Sequence, residues 1–308
     1  MQRRAFLSAV GIGLTSVTGC LASADDGGST GDDETTDAPP TTEEPDTDDS
    51  DESVAVDAGE HVTAVVGTEP DGDSGFVPHR LRLTNDSEEP WVARIEVTPT
   101  LAHPHAGTYK LAPDAEVSVV LRVPADYDVR VTDVQSGATA TESLSPDDFD
   151  CNQSWTAFSP DGDDISVAGA STRMACAPPT LAGDDALSVT VGDGSLSSES
   201  YTKPHAVSVG NATDETTLVD VAIETDEGRV AFGGRYRLES DARVDVRVTE
   251  QSALVARVVR LDSETEKAVS IDKSVFDCNN SRTAISLDDS GGLTSSTAST
   301  LMACQKPE

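Results

Sequence analysis

The chain has 308 residues, enough for two ordinary domains, but 36% hydrophobic and 4% aromatic content allows each only a modest core and excludes one large aromatic-rich enzyme core. Lys and Arg number 21 against 56 Asp and Glu. The formal net charge of -35 argues against nucleic acid or an anionic membrane face as partner.

At the N-terminus, Arg3 and Arg4 precede an apolar stretch, residues 5–17, that is too short and too glycine-rich for a stable membrane span. Arg3-Arg4 followed by Phe6-Leu7 resembles a twin-arginine signal, the route that exports folded proteins. Val17-Thr18-Gly19-Cys20 resembles a lipobox, which implies cleavage before Cys20 and lipid on its sulfur. Residues 1–20 are therefore expected to be a signal peptide, with Cys20 the lipidated end. One acyl chain holds a protein only marginally, so durable attachment takes the two chains that such lipoproteins carry.

Residues 21–53 are rich in Asp, Glu, Thr and Pro and nearly free of apolar side chains, so they cannot build a core. Like charges extend the segment, which spans about 30 Å as a coil and at most ~110 Å when straight. It is expected to be a disordered acidic tether.

Beyond it the chain repeats itself. Phe149-Asp150-Cys151-Asn152 recurs as Phe276-Asp277-Cys278-Asn279, Gly107-Thr108-Tyr109 as Gly234-Arg235-Tyr236, Pro78-His79 as Pro204-His205, and Met174-Ala175-Cys176 as Met302-Ala303-Cys304. These matches, separated along the chain but at nearly one offset, define two copies of a domain, residues 54–178 and 184–308, joined by a short Pro/Gly link. With Cys20 assigned to lipid, four cysteines remain and allow three pairings. Each copy keeps its own pair, which selects Cys151 with Cys176 and Cys278 with Cys304, each closing the open end of a hairpin whose turn lies midway between them. Stretches such as His79-Arg80-Leu81-Arg82-Leu83 and Trp91-Val92-Ala93-Arg94-Ile95 alternate apolar and polar residues, the period of half-buried strands. About seven such strands per copy predict an all-β chain of two tandem antiparallel β-sandwiches resembling immunoglobulin-like domains, although the Cys-Trp-Cys spacing of antibody domains is absent. Trp91 and Trp155 are assigned to the cores. In signal, lipobox, acidity and tandem repeats, the chain is similar to twin-arginine-exported lipoproteins of salt-loving archaea.

Chemistry-bearing residues are sparse. Gly72-Asp73-Ser74-Gly75 matches the nucleophile segment of trypsin-like proteases, but His61 lies only thirteen residues before Ser74, so a polar turn is the better reading. His103-Pro104-His105 supplies two imidazoles and no third ligand nearby; the second copy has Val230 and Phe232 there, and no metal or cofactor is expected. Asp71-Gly72-Asp73 and Asp161-Gly162-Asp163-Asp164 lack the spacing of a calcium loop. Asn85, Asn152, Asn211 and Asn279 each head an Asn-x-Ser/Thr sequon, at matched positions in the two copies, and are candidate glycosylation acceptors.

The expectation is a non-enzymatic protein anchored by Cys20 to the outer face of the cytoplasmic membrane, presenting two sandwiches to an envelope protein, surface protein or glycan for adhesion, assembly or scaffolding. The alternative is a ligand-binding accessory lipoprotein of a transporter or envelope enzyme, with its site between the copies. Self-repulsion at this charge density strains a compact state until salt shortens the Debye length to ~3 Å near 1 M. The melting temperature should therefore fall as salt is lowered from about 3 M to about 0.1 M, and a salt-independent value would contradict the halophilic reading.

Overall fold

In the computed structural model the described residues are 53–199, 201–288 and 290–304. Arg3, Arg4, Cys20, the expected signal peptide and all but the last residue of the acidic tether lie outside them. In the first repeat, strands β1 (Val54–Val56), β2 (His61–Val66), β3 (His79–Thr84), β4 (Trp91–Pro99), β5 (His105–Leu111), β6 (Glu116–Leu121), β7 (Tyr127–Asp133), β8 (Thr139–Leu144), β9 (Ser154–Asp161) and β10 (Asp164–Ser171) form two sheets, in the orders β1-β5-β4-β7-β8 and β10-β9-β3-β6-β2. The second repeat has β11 (Thr180–Leu181), β12 (Ala186–Val191), β13 (His205–Asn211), β14 (Thr217–Thr225), β15 (Val230–Leu238), β16 (Arg243–Val248), β17 (Leu254–Arg260), β18 (Thr265–Ile271), β19 (Ser281–Leu287) and β20 (Leu293–Ser299). Its sheets, β11-β15-β14-β17-β18 and β12-β16-β13-β19-β20, reproduce the first topology strand for strand.

The alternation seen in sequence is the burial pattern of the central strands. Trp91, Ala93, Ile95 and Val97 of β4 face the core while Val92, Arg94 and Glu96 lie outside, and β14 repeats this with Val219, Val221 and Ile223 inside. Each repeat has ten strands rather than seven, because edge strands such as β10 are exposed on both faces and carry no alternation to read. Most neighbours are antiparallel, but β1 with β5, β2 with β6 and β3 with β9 run parallel, as do their counterparts in the second repeat. Periodicity reports which face is buried, not which strand lies alongside.

Thr180–Leu181, assigned from sequence to the link, is instead a strand of the second repeat, pairing with Arg237 and Leu238 as Val54–Val56 pairs with Tyr109–Leu111. The repeats belong to one compact unit and share one continuous apolar core. Asp71 and Ser188 exchange backbone hydrogen bonds of 2.8 Å in both directions. Asp126 N donates to Val230 O at 2.8 Å, Val230 N donates back to the Asp126 carboxylate at 2.7 Å, and Gly233 N reaches Pro124 O at 2.9 Å. The Gly72-Asp73-Ser74-Gly75 turn has a structural role here. Gly72 (φ +106°) and Gly75 (φ +67°) adopt left-handed backbone, and a Cβ on Gly75 would lie 2.4 Å from the Pro179 ring.

Gly75→Val combines backbone strain with a clash against Pro179 and should cost about 1–3 kcal/mol. Calorimetry should show a lower melting temperature and a transition that broadens or splits as the repeats uncouple; an unchanged single transition would show that this contact does not join them.

Candidate functional site

Beside the terminal hairpin of each repeat a histidine is sealed between two sheet neighbours. His79 of β3 is 3% exposed, with Nδ1 2.9 Å from Ser154 Oγ and Nε2 3.1 Å from Thr156 Oγ1, both on β9. His205 repeats the arrangement at 0% exposure, 2.8 Å from Ser281 Oγ and 3.0 Å from Thr283 Oγ1. The tautomer follows from the donor inventory. Ser154 Oγ donates to Asp148 O, and Ser281 Oγ to Val275 O, so each serine oxygen accepts from Nδ1–H and each Nε2 accepts from its threonine hydroxyl. Both imidazoles are thus held neutral. Burial lowers the pKa of His205 to about 4 and also lowers that of His79, which the Asp148 charge partly opposes. A serine within reach of a histidine invites comparison with a nucleophile and its base, but here Nδ1 faces the serine, no carboxylate orients the ring, and solvent is excluded. The geometry is that of a clamp.

Around each clamp lie the disulfide and an asparagine. Cys151–Cys176 and Cys278–Cys304 are bridged, each with Cα atoms 5.6 Å apart, in the pairing expected from the repeats. Asn152 Oδ1 accepts from Met174 N at 2.7 Å and Thr172 Oγ1 at 3.1 Å, while its Nδ2 donates to Asp150 at 2.9 Å. Asn279 repeats these contacts with Met302, Thr300 and Asp277. Asn85 Nδ2 donates to Glu89 O and Leu111 O, and its Oδ1 accepts from the Ser87 backbone and hydroxyl; Asn211 does the same with Glu215, Leu238 and Thr213. The expected glycosylation acceptors are therefore corrected. Asn85, Asn152, Asn211 and Asn279 are all buried, and their amide nitrogens already donate to the protein. In Asn85-x-Ser87 and Asn211-x-Thr213 the hydroxyl two residues on closes an Asx turn, which accounts for the sequon pattern without a glycan.

The remaining candidates disperse. His103 pairs with Asp193 at 3.1 Å across the repeats, with its own side chain 88% exposed. Near Asp193 lies Glu250, whose pKa is raised by burial and then by the Asp193 charge. His105 is held below the ordinary histidine range by burial, its Nε2 buried without a protein partner. Among the described residues no group of three or more His, Cys, Asp or Glu is placed to hold a metal. Trp91 is in the core, but Trp155 is half-buried on the outer face, beneath the Arg82 guanidinium at 5.4 Å; the assignment of Trp155 to the core is corrected.

The sequence gave no sign of a cleft of about 450 Å³ between the repeats, lined among others by Phe76, Pro124, Phe149, Pro179, Arg235 and Tyr236. Arg235 is held by Asp220 at 2.6 Å, and the Tyr236 hydroxyl is buried with no protein hydrogen-bond partner, its pKa raised by burial. The cleft combines apolar walls with one unsatisfied hydroxyl and offers no paired acid and base. Among the described residues no helix is long and apolar enough to cross a membrane.

No protein-family model and no curated protein sequence matches the chain. Among solved structures it is similar to a candidate cell adhesion protein from Bacteroides uniformis, at 7% identity and a TM-score of 0.20, over 75% of this chain and 99% of that one. A TM-score that low carries no argument about fold or function.

A histidine whose folded pKa lies near 4 resists a proton that the unfolded chain takes up near 6.5. Stability is therefore complete above pH 6.5, falls as pH drops toward 4, and stops changing from this source below that, by ~3 kcal/mol for His205. Denaturant midpoints measured across this window should show the slope, and His205→Gln should remove its share while lowering stability at pH 7. A variant with the wild-type slope would show that His205 is not the titrating clamp.

Proposed function

We propose that the chain is a lipid-anchored cell-surface protein whose two sandwiches serve adhesion, assembly or scaffolding at the envelope and carry out no catalysis. One structural observation bears most of the weight: the repeats are locked by reciprocal hydrogen bonds into one body, and their histidine, asparagine and cysteine side chains act as internal struts, with both serine-histidine contacts sealed from solvent. Such a body suits presentation. The twin-arginine and lipobox motifs and the acidic segment 21–53 supply the rest of the reading, a thioether lipid on Cys20 with a tether that lifts the sandwiches off the bilayer. A surface or envelope protein, or a glycan, is the partner class. The cleft with its unsatisfied Tyr236 hydroxyl favours a second reading, an accessory lipoprotein that binds a small ligand between its repeats.

Cys20→Ser should move the protein from the membrane fraction into the medium while leaving its melting temperature unchanged. Retention in the membrane fraction would overturn the anchoring.

A further inference from the structure

Sheet edges are where one β-protein meets another, and most edges of this fold are guarded. β1 and β11 are 3 and 2 residues long, β2 carries the His61–Glu116 pair, β8 carries Glu142, β18 carries Glu266 and Lys267, and β12 is bridged by Asp71. β20 differs. It pairs only with β19, residues 294–300 are exposed, and from Leu293 to Ala303 there is no charged residue and no proline. Thr300 N donates inward to Asn280 O and Asp288 N takes Gly292 O, so the antiparallel alternation turns the backbone groups of Ser295, Thr297 and Ser299 outward. Among the described residues nothing pairs with them.

β10 is the same edge in the first repeat, and the comparison is informative. By the Met174/Met302 and Cys176/Cys304 correspondence, Leu301 stands where the first repeat has Arg173. One copy ends its edge strand with a charge, and the other with a leucine that is 98% exposed, followed by Met302 at 59%.

We propose that the β20 edge is a self-association surface, where a second copy of this chain adds its own β20 antiparallel about a two-fold axis at Thr297. In that register Thr297 faces Thr297 of the second copy, Ser295 faces Ser299, and the exposed Leu301 falls beside the half-buried Leu293. Charge selects this occupant. Over most of their surface two chains of net charge -35 oppose acid to acid, whereas every position of this edge that would face its own copy is uncharged. The contact is small, so it forms where the chain is concentrated, as on a membrane that confines it to two dimensions. The inference gives the assembly part of the proposed function a surface, and it is read on purified protein independently of where Cys20 places it.

Sedimentation velocity of the detergent-solubilised full chain in about 3 M salt should show a monomer–dimer equilibrium below about 0.5 mM. Leu301→Arg, the residue type the first repeat carries, should weaken the dimer about tenfold without lowering the melting temperature. Ser295→Lys with Ser299→Lys should also dissociate it, as should the matching double glutamate variant, and mixing the two should restore a heterodimer. A wild-type chain that stays monomeric throughout, a dimer indifferent to these changes, or charge variants that fail to recombine would overturn the proposal.

Discussion

β9 lies parallel to β3, and a parallel neighbour is reached by a long crossover, not fixed by a tight turn. Its register has to be held by side chains, and the buried imidazole of His79 does this, joining β3 to two hydroxyls of β9 in one plane of hydrogen bonds. The terminal hairpin hangs on that strand, with the disulfide and Asn152 tying its open end. His205, Asn279 and the second disulfide repeat the device on β13 and β19, so each sandwich closes by the same physical means.

That device explains how a chain poor in aromatic residues holds two folded repeats. Valine and leucine supply most of the core, and the second support comes from buried polar groups whose donors and acceptors are almost all matched. On the outside, arginines are largely occupied in ion pairs such as Arg257 with Glu224 and Arg260 with Asp262, leaving the excess acid to solvent. Exposed pairs of this kind contribute little singly. Their effect is to keep the outer faces polar while the inner faces pack.

The union of the repeats is also more than a linker. A glycine turn from the first repeat fits against Pro179, β11 extends a sheet of the second, and the loop before β7 exchanges hydrogen bonds with the start of β15. The result is one body with a defined cleft, guarded edges and one unguarded edge, a surface pattern suited to contact with other molecules.

From sequence alone the tandem duplication, the all-β class, the two disulfides and the inward face of the central strands could be read, because each is a local pattern: a repeat offset, a cysteine count, a period of two. The export signal, the lipid site and the acidic tether are readings of the same kind. The partner of each strand, the parallel pairings, the role of His79 and His205, the burial of the sequon asparagines and the exposure of Trp155 were decided by tertiary structure. An asparagine in Asn-x-Ser reads the same whether its amide meets solvent or a carbonyl from another strand, and only the fold brings Leu111 to Asn85 and Thr156 to His79.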